Sequence, residues 1–197
     1  MRKSPAFTRA EPDARRASLI EAAARVLARD GVAGTSVRAI ALEAGVSPGL
    51  VNHYFAGIDA LVAETYAHVE ARVAEAIDAA LDVAGTDPRA RLDAFVTASF
   101  APPVASGELL ATWIAFWSLV RSRPEIARQH DEQYAAFRAR LEALLGDCGL
   151  PSARQRHAAI AITALIDGLW LELCLSPHAF TAAEAGEIAR FALDALL

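Results

Sequence analysis

One acid set among aromatic rings is the arrangement in this chain with the most specific chemistry. Asp167 lies in the apolar run from Ala158 to Leu175, and Trp170 follows it at i+3. Upstream, Trp113, Phe116 and Trp117 stand at i, i+3 and i+4, so three rings share one helical face. An ionised carboxylate in an apolar helix costs several kcal/mol unless a partner offsets it. A quaternary ammonium ion cannot donate hydrogen bonds and is held by cation–π attraction and charge, which an aromatic wall and one acid supply. Choline and other organic cations have that chemistry. An Arg side chain or a helix N-terminus would also partner Asp167, and rings at this spacing also serve as plain core packing.

A second constellation spans Thr35 to Phe55, TSVRAIALEAGVSPGLVNHYF. Val37, Ile40 and Ala41 share one helical face, Gly45 offers the left-handed conformation that ends a helix, and Ser47 with Pro48 is an N-cap and first-turn pair opening the next. Two short helices with a tight turn form a helix-turn-helix, which presents its second helix to a DNA major groove. Thr35, Ser36 and Ser47, with the first turn at Pro48 and Gly49, are suited to phosphate because helix N-termini attract anions. Arg38, Asn52 and His53 are candidates for base reading, and Leu50 for a thymine methyl; an Arg–guanine or Asn–adenine pair discriminates by roughly 1–3 kcal/mol. Arg9, Arg15 and Arg16 could follow the DNA backbone from the N-terminal arm. For each of these the plainer reading is a solvated surface side chain.

The spaced residues Thr35, Ile40-Ala41, Ala44-Gly45-Val46-Ser47, Gly49, His53, Tyr54 and Phe55 resemble the N-terminal signature of the TetR family of bacterial transcriptional regulators. Leu19, Ile20, Ala23, Val26 and Leu27 stand where such regulators carry the buried face of their first helix. The resemblance implies a homodimer on a palindromic double-stranded operator, and a phosphate contact at Tyr54. Ile58 departs from it, standing where the family commonly has a phosphate-binding Lys, and Asn52 stands where a Tyr is frequent. Fewer phosphate contacts predict a shallower salt dependence. Two further stretches, TWIAFWSLVRSRPEI from Thr112 and ALIDGLWLELCLSPHAF from Ala164, resemble the C-terminal domain of BetI-type repressors, the choline-responsive regulators of glycine betaine synthesis.

The elements that must position these groups are helices. The 197 residues are 54% hydrophobic but only 7% aromatic, the composition of closely packed Ala- and Leu-rich helices. Start and stop signals place helices near 13–30, 35–44, 48–54, 57–84, 88–101, 106–122, 124–147, 152–176 and 181–196. Asp87-Pro88 reads as a cap and proline start, and Ser122/Glu125, Ser152/Gln155 and Thr181/Glu184 have capping-box spacing. The expected architecture is all-α: a three-helix DNA-binding domain over 1–57 and a larger helical domain for ligand binding and dimerisation over 58–197. Ile160, Ala161, Ala164, Leu165, Gly168, Leu169 and Leu173 make the penultimate helix apolar nearly all round, and such a helix needs two surfaces to face. Its own domain and a second subunit would supply them; the centre of a monomeric bundle is the alternative.

Charge divides along the same line. Residues 1–58 hold eight Arg or Lys against five Asp or Glu, and 59–197 hold 11 against 19, although the whole chain is −5. A basic head on an acidic body suits phosphate contact by one end. His53, His68, His130, His157 and His178 are scattered, and no HExxH, Cys cluster, phosphate loop or nucleophile elbow appears, so no catalytic site, metal or cofactor is expected. Cys148 and Cys174 form no CxxC, and no apolar stretch follows the first basic residues, which predicts a cytoplasmic protein without a signal peptide. The Ala158–Leu175 run, interrupted by Asp167 and Glu172, reads as a buried helix rather than a membrane span. A ligand-responsive repressor is the expected function. A TetR-type repressor of an efflux pump or another catabolic operon, and a purely protein-binding helical module, are its alternatives.

Overall fold

The computed structural model describes residues 10–197. Arg9 lies outside the described residues. Helices α1 (Ala10–Gly34), α2 (Val37–Glu43) and α3 (Pro48–Tyr54) form the head. The long α4 (Ile58–Ala84) leads from it into α5 (Pro88–Thr97), a 3-10 turn at Ala98–Phe100, α6 (Gly107–Val120), α7 (Pro124–Asp147), α8 (Ser152–Leu175) and α9 (Ala182–Leu196). No strand occurs among the described residues, and the all-α architecture expected from sequence is the one found.

Local chemistry explains most boundaries. α1 breaks at Gly31, whose φ of 63° lies in the left-handed region that only glycine adopts freely. Asp87 caps α5 by accepting from the Ala90 amide at 2.7 Å, with Pro88 in the first turn. At α9 the capping box closes as expected: Thr181 Oγ1 accepts from the Glu184 amide while Glu184 accepts from the Thr181 amide. The other two boxes do not form. The turn after α6 continues one residue further, so Arg123 takes the cap position of α7 and Ser122 Oγ donates to the Leu119 carbonyl. Pro151 occupies the cap of α8, and Gln155 Nε2 donates to the Leu150 carbonyl instead of turning back to Ser152. α2 begins at Val37, not Thr35, because Ser36 is its cap.

Two hydrophobic clusters form, and α1 serves both. Leu19, Ala23 and Val26 join Ile40, Val51 and Phe55 in the smaller cluster, whereas Ala24 and Leu27, on the other flank of the same helix, join the larger one. Thr112 Oγ1 of α6 donates to the Ala24 carbonyl at 3.3 Å and ties the body to that flank. Ile58, at the start of α4, packs against both clusters. By length and mean hydropathy α8 is the one helix among the described residues long and apolar enough to cross a membrane, a composition that the core helix of a helical bundle shares. It lies against α6, α7 and α9, with Ala159, Ile162, Ile166 and Trp170 buried.

Candidate nucleic-acid interface and ligand cavity

The turn between α2 and α3 is a Schellman closure. Gly45 (φ 65°) donates to the Leu42 carbonyl at 3.1 Å, and Val46 to that of Ala41 at 2.9 Å. Ser47 Oγ then accepts from the Leu50 amide at 3.3 Å and starts α3, as Ser36 Oγ does for α2 from Ala39 at 3.2 Å. Val51 and Phe55 turn one side of α3 into the small core. That rotation leaves Ser47, Pro48, Gly49, Asn52 and His53 exposed, with Leu50 and Tyr54 half-buried beside them. Arg38 is exposed too and pairs with no acid among the described residues. Thr35 stands apart from this group, since its hydroxyl donates inward to the Gly31 carbonyl at 2.7 Å.

Arg16 has a different role from the one its position suggests. Its Nη1 donates to the Tyr54 carbonyl at 2.9 Å, its guanidinium lies 4.5 Å from the Phe55 ring centroid, and it pairs with Glu64. One side chain therefore fastens the end of α3 to α1 and α4 rather than following DNA. Arg25 and Arg29 are also engaged, both bonding Glu43 at 2.8 Å across α1 and α2. The half-buried Ile58 is packed where a basic residue would reach outward.

The acid and its rings meet in the body. Trp113, Asp167 and Trp170 line a cavity of about 50 Å³ together with Tyr134, Phe137 and Gln133 of α7. Phe116 and Trp117 do not reach it. Adjacent helix residues diverge by roughly 100°. Phe116 accordingly packs edge-on against Tyr66 at 4.7 Å, while Trp117 Nε1 donates to the Tyr134 hydroxyl at 3.1 Å from behind. The α7 contribution was missed in the sequence, where Gln133, Tyr134 and Phe137 sit in a charged helix with no periodicity that marks them as a wall. Their approach to α8 is a tertiary fact.

Asp167 has no basic partner within ion-pair distance among the described residues. Its Oδ1 accepts from the Tyr134 hydroxyl at 3.0 Å. Burial pushes its pKa up to about 6, against the opposing pull of that hydrogen bond and the more distant Arg138. Nearby on α4, burial raises Glu70 to about 7, and its Oε1 has no hydrogen-bond partner. Burial holds His130, 3.4 Å from the Tyr66 hydroxyl, below the ordinary imidazole range. The cavity is thus walled by rings, with one half-buried acid whose direct partner is a neutral hydroxyl.

A second, larger cavity of about 240 Å³ lies where head and body meet. Leu27, Val32, Thr35, Ile58, Leu119 and Ile126 line it, with the Asp59–Arg123 ion pair joining the first turn of α4 to the α6–α7 turn.

The seven residues expected at a dimer face divide. Ile160, Ala161, Ala164 and Gly168 are exposed, Leu165 and Leu173 are partly buried against the larger core, and Leu169 belongs to that core. Leu171 and Leu175 of α8 are exposed as well, as are Ile188 and Phe191 of α9 and Leu197 just after it.

Comparison with known proteins agrees with both halves. Residues 19–65 match the profile of the bacterial regulatory proteins of the tetR family, and residues 88–197 match that of the C-terminal domain of BetI-type transcriptional repressors. The HTH-type transcriptional regulator BetI of Paraburkholderia xenovorans (strain LB400) is 37% identical over 185 residues, 93% of each chain. A crystal structure of a transcriptional regulator from Pseudomonas aeruginosa PAO1 superposes with a TM-score of 0.85 at 43% identity, covering 98% of this chain and 94% of that one. A regulator from Saccharomonospora viridis, solved in complex with choline, shares the fold at a TM-score of 0.80 and 19% identity over 92% of this chain and 96% of its own. The two matched profiles, the second over more than half of the chain, and a relative 37% identical over 93% of it make this chain a member of the TetR family of transcriptional regulators, with a BetI-type C-terminal domain.

Proposed function

We propose that this regulator represses genes of choline and glycine betaine metabolism and answers to choline or a closely related organic cation. The observation that carries the reading is Asp167, a half-buried carboxylate without a cationic partner within ion-pair distance, lining a cavity walled by Trp113, Trp170, Tyr134 and Phe137. Trp and Tyr faces attract a quaternary ammonium ion, and Asp167 supplies the opposite charge. The relatives named for betaine regulation, and the structural neighbour solved with choline, support the same chemistry. The small cavity favours a compact cation over the bulky lipophilic drugs that pump repressors answer to.

Residues 1–57 serve as the DNA-binding unit and 58–197 as the effector and dimerisation unit. Phosphate contacts come from Ser36, Ser47, the α3 start at Pro48 and Gly49, and Tyr54, and base contacts from Arg38, Leu50, Asn52 and His53. The exposed apolar strip on α8 and α9 supports a homodimer, since a contiguous apolar face of this kind marks an association surface. Gly168 has open space where a side chain would stand and leaves room for a second helix to approach. Two copies would set their recognition helices about 34–36 Å apart on a palindromic operator in the cytoplasm.

The cavity is far below the roughly 300–1,000 Å³ of ordinary ligand pockets, so a bound cation favours a wider arrangement of α4, α7 and α8. α4 lines the cavity through Val73 and begins at Ile58, between the two cores. Widening at one end shifts the head at the other, and the 240 Å³ junction cavity leaves room for that movement. The effect on DNA is limited by the difference in effector affinity between the two arrangements.

Fluorescence anisotropy on the upstream intergenic DNA, at fixed salt with and without millimolar choline, tests the proposal. Specific binding weakened by choline is the expected result. Release by a lipophilic cation but not by choline would transfer the protein to efflux control.

A further inference from the structure

One polar atom in the wall of the effector cavity has no task in the organic-cation reading. Trp113 lines the cavity and is only 3% exposed, yet its indole Nε1 has no hydrogen-bond partner. The Tyr134 hydroxyl is near enough to feel this N–H, but the two do not meet in hydrogen-bonding geometry. The other two indoles are satisfied: Trp117 Nε1 donates to the Tyr134 hydroxyl at 3.1 Å, and Trp170 Nε1 to the Ser99 carbonyl at 2.8 Å. Buried N–H groups in native proteins are nearly always paired, and a missing partner calls for an explanation. Ring packing does not require this N–H, because a phenyl ring would form the same kind of wall. The indole is held in place by edge contact with Trp170 at 5.6 Å and by Tyr66 at 5.7 Å.

We propose that Trp113 selects cations that carry an oxygen: the effector's oxygen accepts the indole N–H while its ammonium group faces Asp167. The inference rests on the organic-cation reading and narrows the effector class to short ammonium alcohols and their like. A hydroxyl there also has a place for its own proton, since Gln133 Oε1 lines the same cavity and keeps a lone pair beyond the one used by the Tyr66 hydroxyl at 3.2 Å.

Calorimetric titration of the full chain with choline and with propyltrimethylammonium, in which a methyl replaces the hydroxyl, tests this. The native protein is expected to bind choline about five-fold or more tightly than the methyl analogue, the worth of one hydrogen bond. In Trp113→Phe both cations weaken, because Phe attracts them less than Trp, and the ratio between them falls to about one. Equal binding of the two by the native protein, or a preference that survives in Trp113→Phe, would overturn the proposal and leave the organic-cation reading standing. Binding of neither cation would overturn both. A readout on the native protein covers a variant that does not fold. Its three tryptophans give three indole N–H resonances, and that of Trp113 moves downfield with choline but not with the methyl analogue. A resonance that moves equally with both, or with neither, overturns the proposal.

Discussion

The Tyr134 hydroxyl donates to Asp167 Oδ1 across 3.0 Å, from α7 to α8, and is the neutral group that partners a half-buried acid. A hydroxyl dipole offsets only part of what burial takes from a carboxylate, and so Asp167 titrates near 6 rather than in the usual carboxylate range.

Cation affinity therefore rises with pH. At pH 5 about a tenth of Asp167 is ionised, so choline binds roughly ten-fold more weakly there than at pH 7.5. Titration calorimetry across that range checks the slope, and in Asp167→Asn the curve flattens at weak affinity.

Stability of the ligand-free protein moves the other way. The unfolded chain releases the Asp167 proton near pH 4 and the folded one near 6, so the folded state loses stability as pH rises through that window. Asp167→Asn removes the partly desolvated charge and is expected to raise the melting temperature at pH 7.5 while it weakens choline binding. A fall in both would mean that the carboxylate has a structural partner instead.

Tyr134→Phe deletes a hydroxyl that donates to Asp167 and accepts from Trp117. Two half-buried polar groups lose a partner, which costs about 1 kcal/mol in denaturant unfolding. The midpoint of the pH profile for choline shifts upward, because the acid loses its one direct donor.

Contacts that position the protein separate experimentally from contacts that read bases. Asn52→Ala is expected to cost about 1–3 kcal/mol at one base pair and to relax preference there. Ser47→Ala removes the α3 cap, which costs about 1 kcal/mol of stability and lowers affinity for all sequences alike. Competition binding against an operator library distinguishes the two patterns.

Ile58→Lys restores a basic side chain at the head of α4. Salt titration of operator binding should steepen by about 0.9 in log–log slope for each phosphate gained. Ile58 packs against both cores, so the same change lowers folding stability by about 1–2 kcal/mol.

Legibility in the sequence followed the range of the interactions. The α2–α3 turn was readable because Gly45, Ser47 and Pro48 act on residues within four positions of themselves, and Thr181 with Glu184 was readable for the same reason. Ser122 and Ser152 have equal spacing but lose to neighbours: a longer turn after α6 in one case, Pro151 in the other. Asp167, Trp113 and Trp170 stood out by being unlike their surroundings. Tyr134 did not, because its significance lies in what α8 brings to it. Arg16 carried a misleading signal, since a basic residue near a DNA-binding motif looks like a phosphate ligand until the Tyr54 carbonyl is found beside it.

The apolar strip on α8 and α9 has a consequence for how the regulator works as a cellular component. A single chain leaves Leu175 67% and Phe191 76% exposed to water, so in the homodimer proposed above association follows mass action. Copy number then becomes an input to the switch beside the effector: when copies are few, paired heads are scarce and the operator is free without any inducer. Phe191→Asp makes that input visible, moving the monomer–dimer midpoint in analytical ultracentrifugation to higher protein concentration and leaving each isolated head folded but poorly held on DNA.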